Sequence, residues 1–261
     1  MKTRTENLTV RYIYHSCFVL ENDEIVVVFD YWKDPLGYLH DILSATQKTV
    51  YVFVSHFHED HYNAEILNWG RGDSRIKTRP RLMLSYDTVR RRRVQRNLVR
   101  DIMNPEHFYE DEYLRANYYR STDIGVAVAL TFSDGTTVFH AGDLNNWYFA
   151  DGENLKVSLD EMEGMYMAVV RSVRSDIEHF NHVMLPIDPR LGSNMLRSSM
   201  QWLNKIYTDN FYPMHFWDQF SLIENCLSEM QHLFSDTTFW CPTPTTTGLD
   251  ECHKGNLITE P

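Results

Sequence analysis

The chain has 261 residues, 43% of them hydrophobic, and a formal net charge of −11. These figures suit one large globular domain spanning residues 1–261 with an ample core. The acidic balance argues against a nucleic-acid partner, whose phosphates need concentrated Lys and Arg. No apolar run approaches the ~18 residues of a membrane span, and Met1-Lys2-Thr3-Arg4-Thr5-Glu6 lacks a signal-peptide core, so a cytoplasmic protein away from membranes is expected. Cys17, Cys226, Cys241 and Cys252 form no C-x-x-C pair, which points to reduced, mostly buried thiols.

In chain order, residues 8–14, 17–21 and 24–30 are rich in β-branched and aromatic side chains and read as strands, with Asn22-Asp23 turning between the last two. Residues 49–55 are apolar on both faces, as in a strand covered from both sides; residues 81–84 form another. A helix is expected over 87–100 with Asp87 as N-cap. Residues 124–132 and 136–140 make a hairpin whose Asp134-Gly135 favours a type I′ turn. Ser158 and Glu161 form a capping box, followed at helical spacing by Leu159, Met162, Tyr166, Val169 and Val173. Short strands over 182–185 and 210–212 alternate with helices marked by Leu196, Leu203 and Tyr207, then by Phe220, Ile223, Leu227, Met230 and Phe234. The tail from Pro242 reads as irregular. Hairpins followed by alternating helices and strands imply two sheets flanked by helices.

The chemistry is concentrated in His56-Phe57-His58-Glu59-Asp60-His61. Imidazole and carboxylate are the donors that first-row divalent ions take when thiolates are absent. With 12 His and 36 Asp plus Glu in 261 residues, H-x-H-x-[DE]-H arises by chance in roughly 0.003 of such chains. His56 and His58 point the same way in an extended segment and can converge on one metal. Asp60 and His61, at the start of a turn or helix, can hold a second.

This motif resembles the signature of the metallo-β-lactamase superfamily. His140-Ala141-Gly142-Asp143 resembles its later Gly-Asp motif, and Pro213-Met214-His215 the segment carrying its last His. Tyr14-His15-Ser16 and Leu185-Pro186-Ile187-Asp188-Pro189 are similar to the branch of zinc hydrolases that includes the ascorbate-6-phosphate lactonases. The resemblance spans about residues 8–218. It implies an α/β fold, the αββα four-layer sandwich, with two divalent ions, Zn²⁺ first and Mn²⁺ or Fe²⁺ as alternatives. By carry-over His56 and His58 hold one ion, Asp60, His61 and His215 the other, and Asp143 lies between; Asp60 and Asp143 are the catalytic carboxylates. His15 and Asp188 fall near the mouth.

The chain departs from that pattern where full members carry another His. That stretch reads Arg120-Ser121-Thr122-Asp123. Asp123 is the candidate substitute ligand, or else a turn cap, and a carboxylate there shifts preference toward manganese or iron.

His140 is either a residue orienting a ligand from behind or a core histidine. His40, His179, His182, His232 and His253 lack partner spacing and read as surface residues. Tyr31, Trp32, Trp147, Phe216 and Trp217 are candidates for an aromatic pocket wall, with ordinary packing as the alternative. Arg93, Arg96 and Arg100 would share a helical face, either solvated or phosphate-binding. The expected function is hydrolysis of a small lactone, ester or amide, with a phosphorylated substrate included, by metal-activated water. Alternatives are a phosphodiesterase or nuclease of the same fold, and a non-catalytic metal-binding or sensor protein. Redox use of iron is disfavoured, since no flavin-binding segment accompanies the site.

Overall fold

The computed structural model describes residues 8–149, 158–243 and 249–251. The elements run β1 (Thr9–Tyr14), β2 (Cys17–Glu21), β3 (Ile25–Phe29), α1 (Tyr38–Ala45), β4 (Thr49–Val54), β5 (Arg81–Ser85), α2 (Tyr86–Arg91), β6 (Asp101–Met103), β7 (Phe108–Glu110), β8 (Leu114–Arg120), β9 (Val126–Phe132), β10 (Thr137–His140), α3 (Leu159–Asp176), β11 (His179–Pro186), α4 (Arg197–Leu203), β12 (Tyr207–Met214), α5 (Phe220–Leu233), β13 (Thr238–Pro242) and β14 (Leu249–Glu251).

Among the described residues the strands form a six-stranded sheet, β1 to β6 in sequence order, and an eight-stranded sheet ordered β14-β13-β12-β11-β10-β9-β8-β7. Hairpin pairing at the start of each sheet gives way to parallel pairing: β3 to β6 in the first, β10 to β13 in the second. Strand periodicity assigns the layers. Val26, Val28, Val50, Val52 and Val54 pack outward with Leu39 and Leu43 of α1. Their alternates Val27, Phe29, Tyr51 and Phe53 face the second sheet, whose own cluster includes Tyr166 and Val173 of α3, Trp202 of α4 and Leu227 of α5. The layers are therefore helix, sheet, sheet, helix, as expected.

Several local expectations fail for identifiable reasons. α2 ends at Arg91 and is capped by Ser85, not Asp87. Arg93 takes a positive φ of 53°, so Arg93, Arg96 and Arg100 never share a helical face. In the β9–β10 hairpin Gly135 has φ 89° while Asp134 does not enter the left-handed region. That rules out type I′ and fits a type I turn followed by a left-handed glycine. Tyr207 opens β12 instead of continuing α4. The Ser158–Glu161 capping box forms as expected. β14 lies in the tail read as irregular. α1 and β6 to β8 had no prior expectation; they are short or carry Asn, Asp, Arg and Tyr among their apolar residues.

Cys17 and Cys226 are free and buried, but Cys241 is disulfide-bonded, which corrects the expectation of reduced thiols. His182 is buried and bonds Tyr212 Oη at 2.9 Å, so it is no surface residue. His40 is half-buried between Asp34 and Glu65, at 2.8 Å from each. His253 lies outside the described residues. No helix among the described residues is long and apolar enough to cross a membrane.

Candidate metal centre

The site is built from strand ends. β3 delivers Asp30, β4 delivers Ser55 and the His56–His61 turn, β10 delivers Asp143, β11 delivers Asp188 and β12 delivers His215. Because β3 and β4 are parallel, as are β10, β11 and β12, their C-terminal ends gather along one edge of the sandwich. The β1–β2 turn adds His15, whose carbonyl accepts from His215 N at 3.2 Å. His15, Asp30 and His215 sit at φ 57°, 44° and 66°, a region that costs non-glycine residues free energy and concentrates at functional sites. Gly142 must be glycine: with φ 53°, a Cβ would lie 2.7 Å from Ser55 Cβ and 2.8 Å from Ser55 Oγ.

Hydrogen bonds behind the site fix which imidazole nitrogen faces inward. Buried Asp30 accepts from Ser55 N (2.7 Å), Ser55 Oγ (2.6 Å) and His61 Nδ1 (2.7 Å). Since Ser55 Oγ spends its proton on Asp30, it accepts from His56 Nδ1 at 2.9 Å. Asp188 accepts from His215 Nδ1 at 3.1 Å. All three rings thus turn Nε2 into the site, the orientation that carboxylate partners impose on metal-binding histidines.

Those nitrogens surround Asp143. Its Oδ1 lies 3.0 Å from His61 Nε2 and 3.3 Å from His215 Nε2, while Oδ2 lies 3.3 Å from His56 Nε2. Yet His61 Nε2, His215 Nε2, Asp143 Oδ1 and both nitrogens of His15 are buried without a hydrogen-bond partner. Polar atoms that converge without bonding one another are what a cation site requires, because orphaned buried groups are otherwise costly. Two donor groups result, each with its donor atoms within 4.8 Å: His56, His58, Asp123 and Asp143, and His15, Asp60, His61 and His215. The residues of each group therefore fit a metal ion.

Electrostatics agree. Burial opposes charge on His61, but Asp143 and Asp30 outweigh it and raise its pKa well above the ordinary value. Burial likewise opposes the Asp143 carboxylate, and His61, His215 and His56 hold its pKa well below the usual range. Asp60 is lowered in the same way, chiefly by His15 against its own desolvation. The site demands positive charge, which a metal supplies on displacing protons.

All seven residues expected from the sequence come together. Asp123 is the most peripheral, its Oδ2 3.7 Å from His58 Nδ1 and its side chain 43% exposed. His15 is an additional donor, within 3.3 Å of Asp60 Oδ2. The resemblance places it near the mouth of the site, and the fold brings it into a donor group with Asp60, His61 and His215. Ser55 reads in the sequence as a strand residue, since its partner Asp30 lies 25 positions away.

A family model for the β-lactamase superfamily domain matches residues 9–160, more than half of the chain. The chain belongs to the metallo-β-lactamase superfamily. Igni18, a metallo hydrolase of Ignicoccus hospitalis, is 19% identical with a TM-score of 0.62, over 89% of this chain and 94% of its own. A candidate metal-dependent hydrolase of Parabacteroides distasonis is 13% identical with a TM-score of 0.57, over 92% and 94%. A variant of the CmlA β-hydroxylase of Streptomyces venezuelae is 12% identical with a TM-score of 0.54, over 90% of this chain and 52% of its own. At these identities the likeness is one of fold. No curated protein matches the sequence.

Within this superfamily member the centre opens into a cavity of about 410 Å³, lined by His58, Asp60, Asp123, Trp147, Phe149 and Arg190 among others. Of the five candidate aromatic residues, Trp147 lines it. Trp217 and Trp32 pack on His15, with ring centroids 4.9 and 5.5 Å away. Tyr31 and Phe216 are core residues, against Trp69 and Tyr12 respectively. His140 packs flat on Phe29 at 4.5 Å, bonds Ser16 O at 2.9 Å and stays 4.0 Å from Asp30. It is therefore a core residue behind the ligand network, with no donor in either group. Phe57 N donates to Asp87 at 2.9 Å, and Arg92 Nε and Nη2 donate to Phe57 O at 2.9 and 2.6 Å. Asp87, expected as a helix cap, and Arg92 thus brace the His56–His61 turn.

Proposed function

We propose that the chain is a hydrolase that uses two divalent ions to open a small lactone, ester or amide, including a phosphorylated one. The observation that carries this reading is Asp143, one oxygen facing His61 and His215 and the other facing His56, as a carboxylate shared by two cations would. Bound divalent ions would lower the pKa of water toward ~7 and polarise the oxygen of the group attacked.

The residues divide the remaining work. His56, His58, Asp123 and Asp143 would hold one ion; His15, Asp60, His61 and His215, with Asp143, would hold the other. The first set is richer in oxygen, so manganese or iron competes better with zinc there. Asp60 Oδ2, 3.3 Å from His15 Nε2, would orient the attacking water. The cavity beside the centre holds a small substrate and limits water.

The arginines near α2 give no support to the nuclease alternative. Arg92, Arg96 and Arg100 are bonded to Phe57 O, Val99 O and Tyr109 Oη, and among the described residues no helical basic face lines the cavity at the centre. The test is a panel of lactones, esters, amides and bis(p-nitrophenyl) phosphate with Zn²⁺ or Mn²⁺, alongside His58→Ala and Asp143→Asn. Turnover of a carboxylic substrate that both variants abolish, with lowered metal content, is expected. Cleavage confined to the phosphodiester would move the assignment to a phosphodiesterase, and silence with metal bound would move it to a sensor.

A further inference from the structure

Arg190 is the one Lys or Arg among the described residues lining the cavity, where Asp60, Asp123 and Asp143 supply carboxylates. Its placement is tightly determined. Nε donates to both oxygens of Asp188 at 3.0 Å, and Nη2 donates to Oδ2 at 2.6 Å. Asp188 is fully buried and also accepts from His215 Nδ1 at 3.1 Å. The guanidinium lies 4.7 Å from the Trp217 ring centroid and 6.0 Å from that of Trp147.

One edge of the fork is therefore spent on Asp188, and the Trp217 indole lies beside the guanidinium. No bond to a described residue engages Nη1, and 54% of the side chain remains exposed. The Asp188 pair uses Nε and Nη2 only, so the guanidinium keeps donor capacity in a residue that lines the cavity. Beside a centre built to collect cations it raises the local positive potential, which disfavours metal binding and favours an anion. Arginine's planar fork suits carboxylate and phosphate oxygens in particular.

We propose that Arg190 anchors an anionic group of the substrate, a carboxylate or a phosphate, so that a neighbouring bond lies over the Asp143 centre. This rests on the hydrolase reading and narrows it to anionic substrates. Asp188 then has two tasks, aligning His215 on one side and pre-setting the guanidinium on the other, which reduces the ordering cost of binding.

The experiment measures binding of phenylphosphonate, benzoate and neutral benzamide by tryptophan fluorescence. It compares metal-loaded wild type, Arg190→Met and Arg190→Lys, and determines the metal content of each. The proposal expects Arg190→Met to weaken at least one of the two anions roughly tenfold or more, as loss of a charged hydrogen-bond donor should. Arg190→Lys should fall between, benzamide binding should not change, and metal content should stay at the wild-type level. Which anion is weakened identifies the anchored group. Equal anion affinities in wild type and Arg190→Met would overturn the proposal. So would no anion binding by wild type, or metal loss in Arg190→Met that accounts for the weakening, since Arg190 would then act through Asp188 on His215. If wild type takes up no metal, the hydrolase reading fails, and the same comparison on metal-free protein decides Arg190 separately.

Discussion

Replacing Asp30 by Asn tests whether the buried network sets the metal-facing nitrogens. Ser55 N is a fixed backbone donor 2.7 Å from Oδ1, so the asparagine must keep its carbonyl oxygen there and place its amide nitrogen where Oδ2 was. That nitrogen donates to His61 Nδ1 and to Ser55 Oγ, which lie 2.7 and 2.6 Å from Oδ2. His61 must then carry its proton on Nε2, facing Asp143. Ser55, released from Asp30, gives its proton to His56 Nδ1 at 2.9 Å, and His56 inverts as well. One isosteric change thus turns two lone pairs into N–H groups, one in each donor set. Loss of such a partner typically costs ~10–100-fold in metal affinity; two acting together give about 10²–10⁴, or ~3–5 kcal/mol. Zinc competition against a chromophoric chelator reads this directly, with circular dichroism confirming that the variant is folded. Zinc affinity within about twofold of wild type in a folded Asp30→Asn protein would refute the reasoning.

Asp123→Ala removes a donor from the His56–His58–Asp143 set alone, so bound metal should fall by one ion while the other stays; loss of both ions, or of neither, would count against the assignment. Gly142→Ala combines a left-handed residue (~1–2 kcal/mol) with overpacking against Ser55 (~1–3 kcal/mol). Urea unfolding should show about 2–5 kcal/mol less stability, and a loss under ~1 kcal/mol would show that the turn gives way freely. His182 is kept neutral mainly by burial, which lowers its pKa to about 4 from 6.5. The folded protein thus resists protonation that the unfolded chain accepts: stability is full above pH ~6.5 and falls as pH drops toward ~4, by up to about 3 kcal/mol. Metal-free His182→Gln should lose less stability than wild type between pH 7 and pH 4.5, and identical losses would exclude His182 as a source.

Much of the fold and centre could be read from the residues because the signals are local. The β3 and β4 strands are runs of apolar residues, and the His56–His61 donors sit within six positions. The Gly142-Asp143 turn and His215 follow strands whose parallel pairing alone brings them together. What escaped is non-local. The resemblance places His15 near the mouth, but its place in a donor group appears only where the β1–β2 turn meets β12. Ser55 and Asp87 look like a strand residue and a helix cap until their partners, 25 and 30 positions away, are in place. Arginine's good helix propensity and the lack of a Gly or Pro stop signal suggest a helix as far as Arg100, whereas the chain turns at Arg93 with φ 53° and Arg92 bonds Phe57 O, 35 positions away.

The central claim is that these separate strand ends enclose two cations shared by one carboxylate. Anomalous diffraction from crystals of the zinc-loaded protein tests it most directly. Two peaks are predicted, one among His56, His58 and Asp123 and one among His15, Asp60, His61 and His215, each about 2 Å from an oxygen of Asp143. Crystals of demonstrably zinc-bound protein with no peak beside Asp143 would contradict the account.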